Sequence, residues 1–247
     1  MTRLRAPALA MVLAAGLVAC GSKPPSLMVF AAASLKQVFT QIGDRFKADN
    51  PGTTVDFSFA GSSDLVEQLT QGAKADVFAS ADPQNLRKAT STGLVAGQPV
   101  NFASNTLVIA VVPGNPKGIA SFADLRRPGL DVVVCARPVP CGAATQKVED
   151  ATGVQLNPIS EEESVTDVLN KVTTGQADDG LVYVTDATGA GGKVTTVRFA
   201  EAAGAVNVYP IAALKGSAHP DLARKFVDSV TGGQGQQILA QAGFAKP

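Results

Sequence analysis

The residues of this chain that could do chemistry recur at one kind of place. Ser34 follows the apolar run that begins at Leu27, just where helical periodicity starts, and Ser62 follows the strand-like Thr54 to Phe59. Cys141 and Gly142 follow Asp131 to Cys135, Val165 opens a helix after Glu161-Glu162-Glu163-Ser164, and Tyr183 lies in the strand-like Asp179 to Val184. Helix N-termini carry unpaired N–H groups and the positive end of the macrodipole, which suits an anion. If Ser34, Ser62, the N–H groups around Cys141 and Val165, and the Tyr183 hydroxyl converge, they form a nest of neutral donors without lysine or arginine. Such a nest favours a fully deprotonated oxyanion, with charge-assisted hydrogen bonds of about 1.5–3 kcal/mol each. A protonated phosphate would need an acceptor. Taken singly, each residue has a plainer role: Ser34 as an N-cap, Val165 in the core of an amphipathic helix, Tyr183 as a half-buried strand residue.

Other chemistries find less support. A serine nucleophile needs a base, and the one histidine, His219, precedes Pro220 at the start of a helix near the C-terminus. The patterns GxSxG, GxxxxGK[ST] and GxGxxG are absent, so binding is a stronger reading than catalysis, and the chain is expected not to be an enzyme. One histidine and no CxxC spacing argue against a metal site. The glutamates Glu161 to Glu163 read as surface charges at a helix N-terminus, and Arg137 as a solvated loop arginine. Basic and acidic residues balance at 21 each, and removing residues 1–19 takes away Arg3 and Arg5, leaving 19 − 21 = −2. No basic excess invites nucleic acid.

The N-terminus is an address. Arg3 and Arg5 precede the apolar Ala8 to Ala19, too short to span a bilayer comfortably. It ends in Leu17-Val18-Ala19-Cys20-Gly21, which resembles a bacterial lipobox. Residues 1–19 are therefore expected to be a lipoprotein signal peptide, with residues 20–26 the lipidated Cys20 and a tether. Membrane attachment would be through that lipid only. In an oxidising compartment a Cys135–Cys141 disulfide is the preferred reading, with two free buried thiols as the alternative.

The elements that must position these residues read as an α/β fold. Leu35, Val38, Phe39, Ile42 and Phe46 share one helix face. Asp82 before Pro83 is a strong helix start, and Asp124 follows Ser121 at capping-box spacing. Thr106 to Val112 is a continuous apolar run of the kind buried in a parallel sheet. Helices are expected at Asp221 to Val230 and Gln234 to Gln241, and strands at Val194 to Phe199 and Val206 to Leu214. Strands alternating with helices predict mostly parallel sheets, with ligands beyond the strand ends.

Val29-Phe30-Ala31-Ala32-Ala33-Ser34-Leu35, Phe59-Ala60-Gly61-Ser62-Ser63, Ala75 to Asp82, Gly180-Leu181-Val182-Tyr183 and Tyr209-Pro210-Ile211 together resemble the molybdate-binding proteins of bacterial ABC importers. The likeness runs in order from about Leu27 to Gly243-Phe244. It implies a two-lobed type II periplasmic-binding fold, with molybdate or tungstate held in the interlobe cleft by hydroxyls and N–H groups. The molybdenum would have no direct protein ligands. It further implies an extracytoplasmic monomer, without a cofactor, that serves a permease with a cytoplasmic ATPase. By motif, Ser34 and Ser62 would bind through hydroxyl and N–H, Cys141 and Val165 through N–H, and Tyr183 through its phenol. Lobe 1 would be 27–106 and 211–247, and lobe 2 would be 107–210, with crossings near Ser104–Leu107 and Tyr209–Ile211. Gly61 departs from an expected serine, at little cost if that side chain is no ligand. Tyr209 reads as packing. Sulfate, phosphate or ferric ion on the same fold, and a lipid-anchored hydrolase, are the alternatives.

Overall fold

The computed structural model describes residues 24–247. The expected signal peptide and Cys20 lie outside the described residues, and Ser26, the last residue of the expected tether, belongs to the first strand. In chain order the elements are β1 (Ser26–Ala32), α1 (Lys36–Asp49), β2 (Thr54–Ala60), α2 (Ser62–Thr70), β3 (Val77–Ala79), α3 (Pro83–Ser91) and β4 (Val95–Asn105). Then come β5 (Leu107–Val111), β6 (Val132–Cys135), α4 (Pro140–Thr152), β7 (Ser160–Glu162), α5 (Val165–Thr173), β8 (Asp179–Tyr183) and α6 (Val184–Ala190). The chain closes with β9 (Thr195–Val197), β10 (Asn207–Leu214), α7 (Pro220–Thr231) and α8 (Gly233–Gln241).

Two five-stranded sheets result, ordered β2-β1-β3-β10-β4 and β7-β6-β8-β5-β9. Each is the centre of one lobe. The sheets are mixed rather than mostly parallel. β1 runs parallel to β2 and β3, and β6 to β7 and β8, whereas β10 opposes β3 and β4, and β5 opposes β8 and β9. The antiparallel pairs belong to the segments that pass between lobes. The chain leaves the first sheet at Asn105 and enters the second at Leu107, and it is back in the first sheet from Asn207, a few residues before Tyr209. The C-terminus is tied to this crossing, where Ser104 exchanges backbone hydrogen bonds with Ala245 at 2.8 and 3.0 Å.

Hydrophobic pattern explains most of the elements. On α1, Val38, Phe39, Ile42 and Phe46 are buried as their spacing requires and pack around Phe226 of α7. Asp82 caps α3 by accepting from Asn85 N at 2.7 Å, ahead of Pro83. Ser121 and Asp124 close the anticipated capping box, although the turn Phe122–Arg126 is 3₁₀ rather than α. β4 has no clear signature in the sequence, because Gly97 and Pro99 interrupt its pattern; it is an edge strand, where proline is tolerated. β7 likewise lacks a strand pattern: two of the three supposed surface glutamates, Glu161 and Glu162, pair along the edge of β6.

Candidate ligand-binding site

Several helices begin at one place between the sheets. α2 starts at Ser62, α4 at Pro140 and α5 at Val165, and a 3₁₀ turn at Ala33–Leu35 leads into α1. A helix leaves its first N–H groups without intrahelical partners. Here Cys141 and Val165, in the first turns of α4 and α5 of one lobe, meet Ser34 and Ser62 from the other. Ser34, Ser62, Cys141, Val165 and Tyr183 all line one small cavity, together with Ala32, Ala33, Ala60, Gly61, Ala81, Val139 and Pro140. No charged side chain lines it.

Ser34 is not the N-cap its position suggested. Its turn is capped from Ala32 without a side-chain bond, and Ser34 Oγ instead sits 3.1 Å from Tyr209 Oη. Ser62 is buried, and its Oγ accepts from Ala81 N–H at 3.0 Å, which leaves its own proton free to donate. Val165 serves both readings at once: its side chain is in the second lobe's core while its N–H opens α5. Ser164 caps that helix from below, its Oγ accepting from Asp167 N at 3.3 Å.

Tyr183 is 1% exposed, and its hydroxyl has no hydrogen-bond partner among the described residues. An unpartnered buried hydroxyl costs about 1–3 kcal/mol, so its place on the cavity wall calls for a ligand acceptor. Burial pushes the Tyr183 phenol well above the usual tyrosine range, and Tyr209 likewise. Both therefore stay neutral donors in the ligand-free site. Among the described residues there is no cluster of three or more His, Cys, Asp or Glu able to hold a metal ion. Asp186, at the start of α6, accepts from Tyr183 N at 3.1 Å and fixes the residue from behind.

Two residues differ from their sequence reading or add to it. Tyr209 is packed as expected, yet its hydroxyl also backs Ser34. Gly61 is not an indifferent replacement: a Cβ there would lie 2.1 Å from Glu163 O in the other lobe. Nothing in the sequence could signal that close approach, because it arises between segments about a hundred residues apart. Arg137 is exposed and lies away from the cavity. Cys135 and Cys141 are joined by a disulfide, with Cα atoms 5.6 Å apart, closing the loop that leads into α4.

Residues 27–245 match the model of a family described as bacterial extracellular solute-binding protein. The chain belongs to this family. Its members named among the relatives are binding proteins, and so is this chain, rather than an enzyme. The molybdate-binding protein ModA of Mycobacterium tuberculosis is 62% identical over 248 residues, covering 96% of this chain and 95% of that protein. The Escherichia coli molybdate-binding protein ModA is 28% identical, covering 88% of each. Among solved structures, the periplasmic molybdate-binding protein of Azotobacter vinelandii superposes with a TM-score of 0.78 at 22% identity, over 90% of this chain and 99% of that one. The M. tuberculosis sulfate-binding protein SubI gives the same TM-score at 20% identity, over 90% and 87%. At those identities the structural likeness speaks for the two-lobed fold alone. No helix among the described residues is long and apolar enough to cross a membrane.

Proposed function

We propose that this chain captures molybdate, and tungstate with it, outside the cytoplasmic membrane and delivers the dianion to an ABC permease driven by a cytoplasmic ATPase. The observation that carries this reading is the buried, unpartnered Tyr183 hydroxyl on a cavity shared with Ser34, Ser62 and the first N–H groups of α4 and α5. A tetrahedral oxyanion supplies acceptors for all of them. Ser34 and Ser62 would bind through hydroxyl and N–H, Cys141 and Val165 through N–H, and Tyr183 through its phenol. The 62% identity to the mycobacterial molybdate-binding protein supports the choice of molybdate over sulfate. In this reading the protein acts as a monomer, held to the membrane by a lipid on Cys20 after removal of residues 1–19, with Cys135–Cys141 oxidised.

Calorimetric titration of the domain from Ser26 onward tests it, with molybdate, tungstate, sulfate and phosphate in parallel. Tight binding of the first two with little heat from the others is expected. Preference for sulfate or phosphate would reassign the cargo, and silence with all four would end the oxyanion reading.

A further inference from the structure

We propose that Asn207 and Asn85 are positioning residues: they latch the loop 136–140 of the second lobe onto the first, and Asn207 thereby aims the Cys141 N–H into the cavity. The inference rests on the oxyanion reading above. Asn207 opens β10 and is buried. Its Nδ2 donates to Ala81 O at 2.9 Å within the first lobe and to Pro140 O at 3.3 Å in the second. Its Oδ1 is buried with no partner among the described residues, so the polar work of this amide is all on the donor side.

The peptide bond between Pro140 and Cys141 is planar and trans, so its C=O and N–H point in opposite directions. Holding the carbonyl from the Asn207 side turns the N–H away from Asn207. Pro140 and Cys141 line the cavity and Asn207 does not. The other arm of the same amide reaches Ala81, whose N–H holds Ser62 Oγ. One side chain thus braces a donor from each lobe.

Asn85 does the same two residues earlier in the loop. Buried on α3, its Nδ2 donates to Pro138 O at 3.2 Å as well as to Asp82 Oδ2 at 3.1 Å. The loop is closed at its base by the disulfide. It also folds tightly over Gly142, where a Cβ would lie 2.0 Å from Ala136 O. Pinning two carbonyls of so short a ring fixes all of it. Both bonds to the loop join the lobes, so they stabilise the closed arrangement and neither lobe alone, which biases closure.

The test uses Asn207→Leu, which keeps volume and removes the donors, and Asn85→Ala, which keeps the backbone cap to Asp82. The chain has two tyrosines and no tryptophan, and both tyrosines lie at or behind the cavity, so tyrosine fluorescence in stopped flow can follow molybdate binding. One lost interlobe hydrogen bond is worth about 1 kcal/mol, so off-rates should rise roughly fivefold to tenfold while on-rates stay within about twofold. A variant that is merely destabilised keeps the wild-type off-rate below its melting point. Wild-type off-rates in both variants, or a loss carried by the on-rate, would overturn the latch. Should Asn207→Leu not fold, Asn85→Ala decides alone. A wild-type protein that binds no molybdate would fail the oxyanion reading and take the latch with it, whereas a binding wild type with unaltered variants would sink the latch only.

Discussion

Replacing Gly61 by alanine probes the close approach of the two lobes at the cavity wall. Gly61 is the N-cap of α2 and has φ −57° and ψ 141°, values any residue adopts, so alanine brings no backbone strain. The new methyl meets one obstacle, Glu163 O of the opposite lobe, 2.1 Å from where the methyl carbon would sit; the next atoms are 3.4 and 3.5 Å away. A comfortable C···O contact is about 3.3–3.6 Å, so the lobes must part locally by roughly 1 Å or the turn before Val165 must move. Forcing a methylene-sized group into a packed site costs about 1–3 kcal/mol, which corresponds to roughly a fivefold to 150-fold weaker Kd. Because Glu163 approaches Gly61 only across the cleft, the ligand-free melting midpoint should not move. Calorimetry with molybdate measures the first quantity and ligand-free scanning calorimetry the second. A Gly61→Ala variant with wild-type affinity would show that the observed interlobe approach is not the binding arrangement, and the steric reasoning would fall. Gly61→Ser adds the same Cβ and should behave alike.

Tyr183→Phe and Ser62→Ala should separate cleanly. Phenylalanine removes a hydroxyl that has no protein partner among the described residues, so ligand-free stability should hold or rise while molybdate affinity falls by about 1.5–3 kcal/mol, read by titration; unchanged affinity would remove Tyr183 from the site. Alanine at Ser62 also strands the Ala81 N–H, so both affinity and ligand-free stability should drop, the latter by about 1–3 kcal/mol, and an unshifted melt would refute that bond. Asp179 is fully buried with both carboxylate oxygens unpartnered among the described residues, and burial pushes its pKa up to about 7. The native state then keeps a proton that the unfolded state releases near pH 4, so stability should fall as pH rises from about 4 to 7. Asp186, also pushed up to about 7 by burial, adds a parallel fall, so Asp179→Asn should reduce the fall without abolishing it and stabilise the protein above pH 7, by at most about 4 kcal/mol for a displacement of this size; denaturant melts across pH with an unaltered slope would count against it.

What the sequence made legible follows from which interactions are local. The amphipathic face of α1, the Asp82–Pro83 start and the Ser121–Asp124 box depend on neighbours within one or two turns, and each appears where pattern placed it. The strand-to-helix junctions are equally local, which is why Ser34, Ser62, Cys141, Val165 and Tyr183 could be named together. Strand direction is not local. Parallel and antiparallel pairs depend on how β5 and β10 cross between lobes, and an apolar run such as Leu107–Val111 looks alike in either orientation. Contacts between distant segments are illegible for the same reason. Gly61 facing Glu163, Tyr209 behind Ser34 and Asn207 against Pro140 join residues 67 to 175 positions apart, and none of them sits in a periodic pattern.

The absence of charge on the cavity wall has a physical consequence. A lysine or arginine would attract any anion from a distance and would serve a protonated phosphate nearly as well as a dianion. Fixed neutral donors act only at contact, since hydrogen-bond strength falls steeply with distance and angle. Their number and direction therefore choose the ligand. Each donor here is already oriented: Ser62 by Ala81, Ser34 by Tyr209, Val165 by a capped helix, Cys141 by its closed loop. Little entropy remains to be lost on binding. A ligand offering acceptors at every corner satisfies the set, while one carrying a proton would set an O–H against a donor in a low-dielectric pocket, where an unmet pair is most costly. In the oxyanion reading, discrimination against protonated phosphate then resides in the protonation state of the anion, and Tyr183, its phenol held above the usual range by burial, stays a neutral donor across physiological pH.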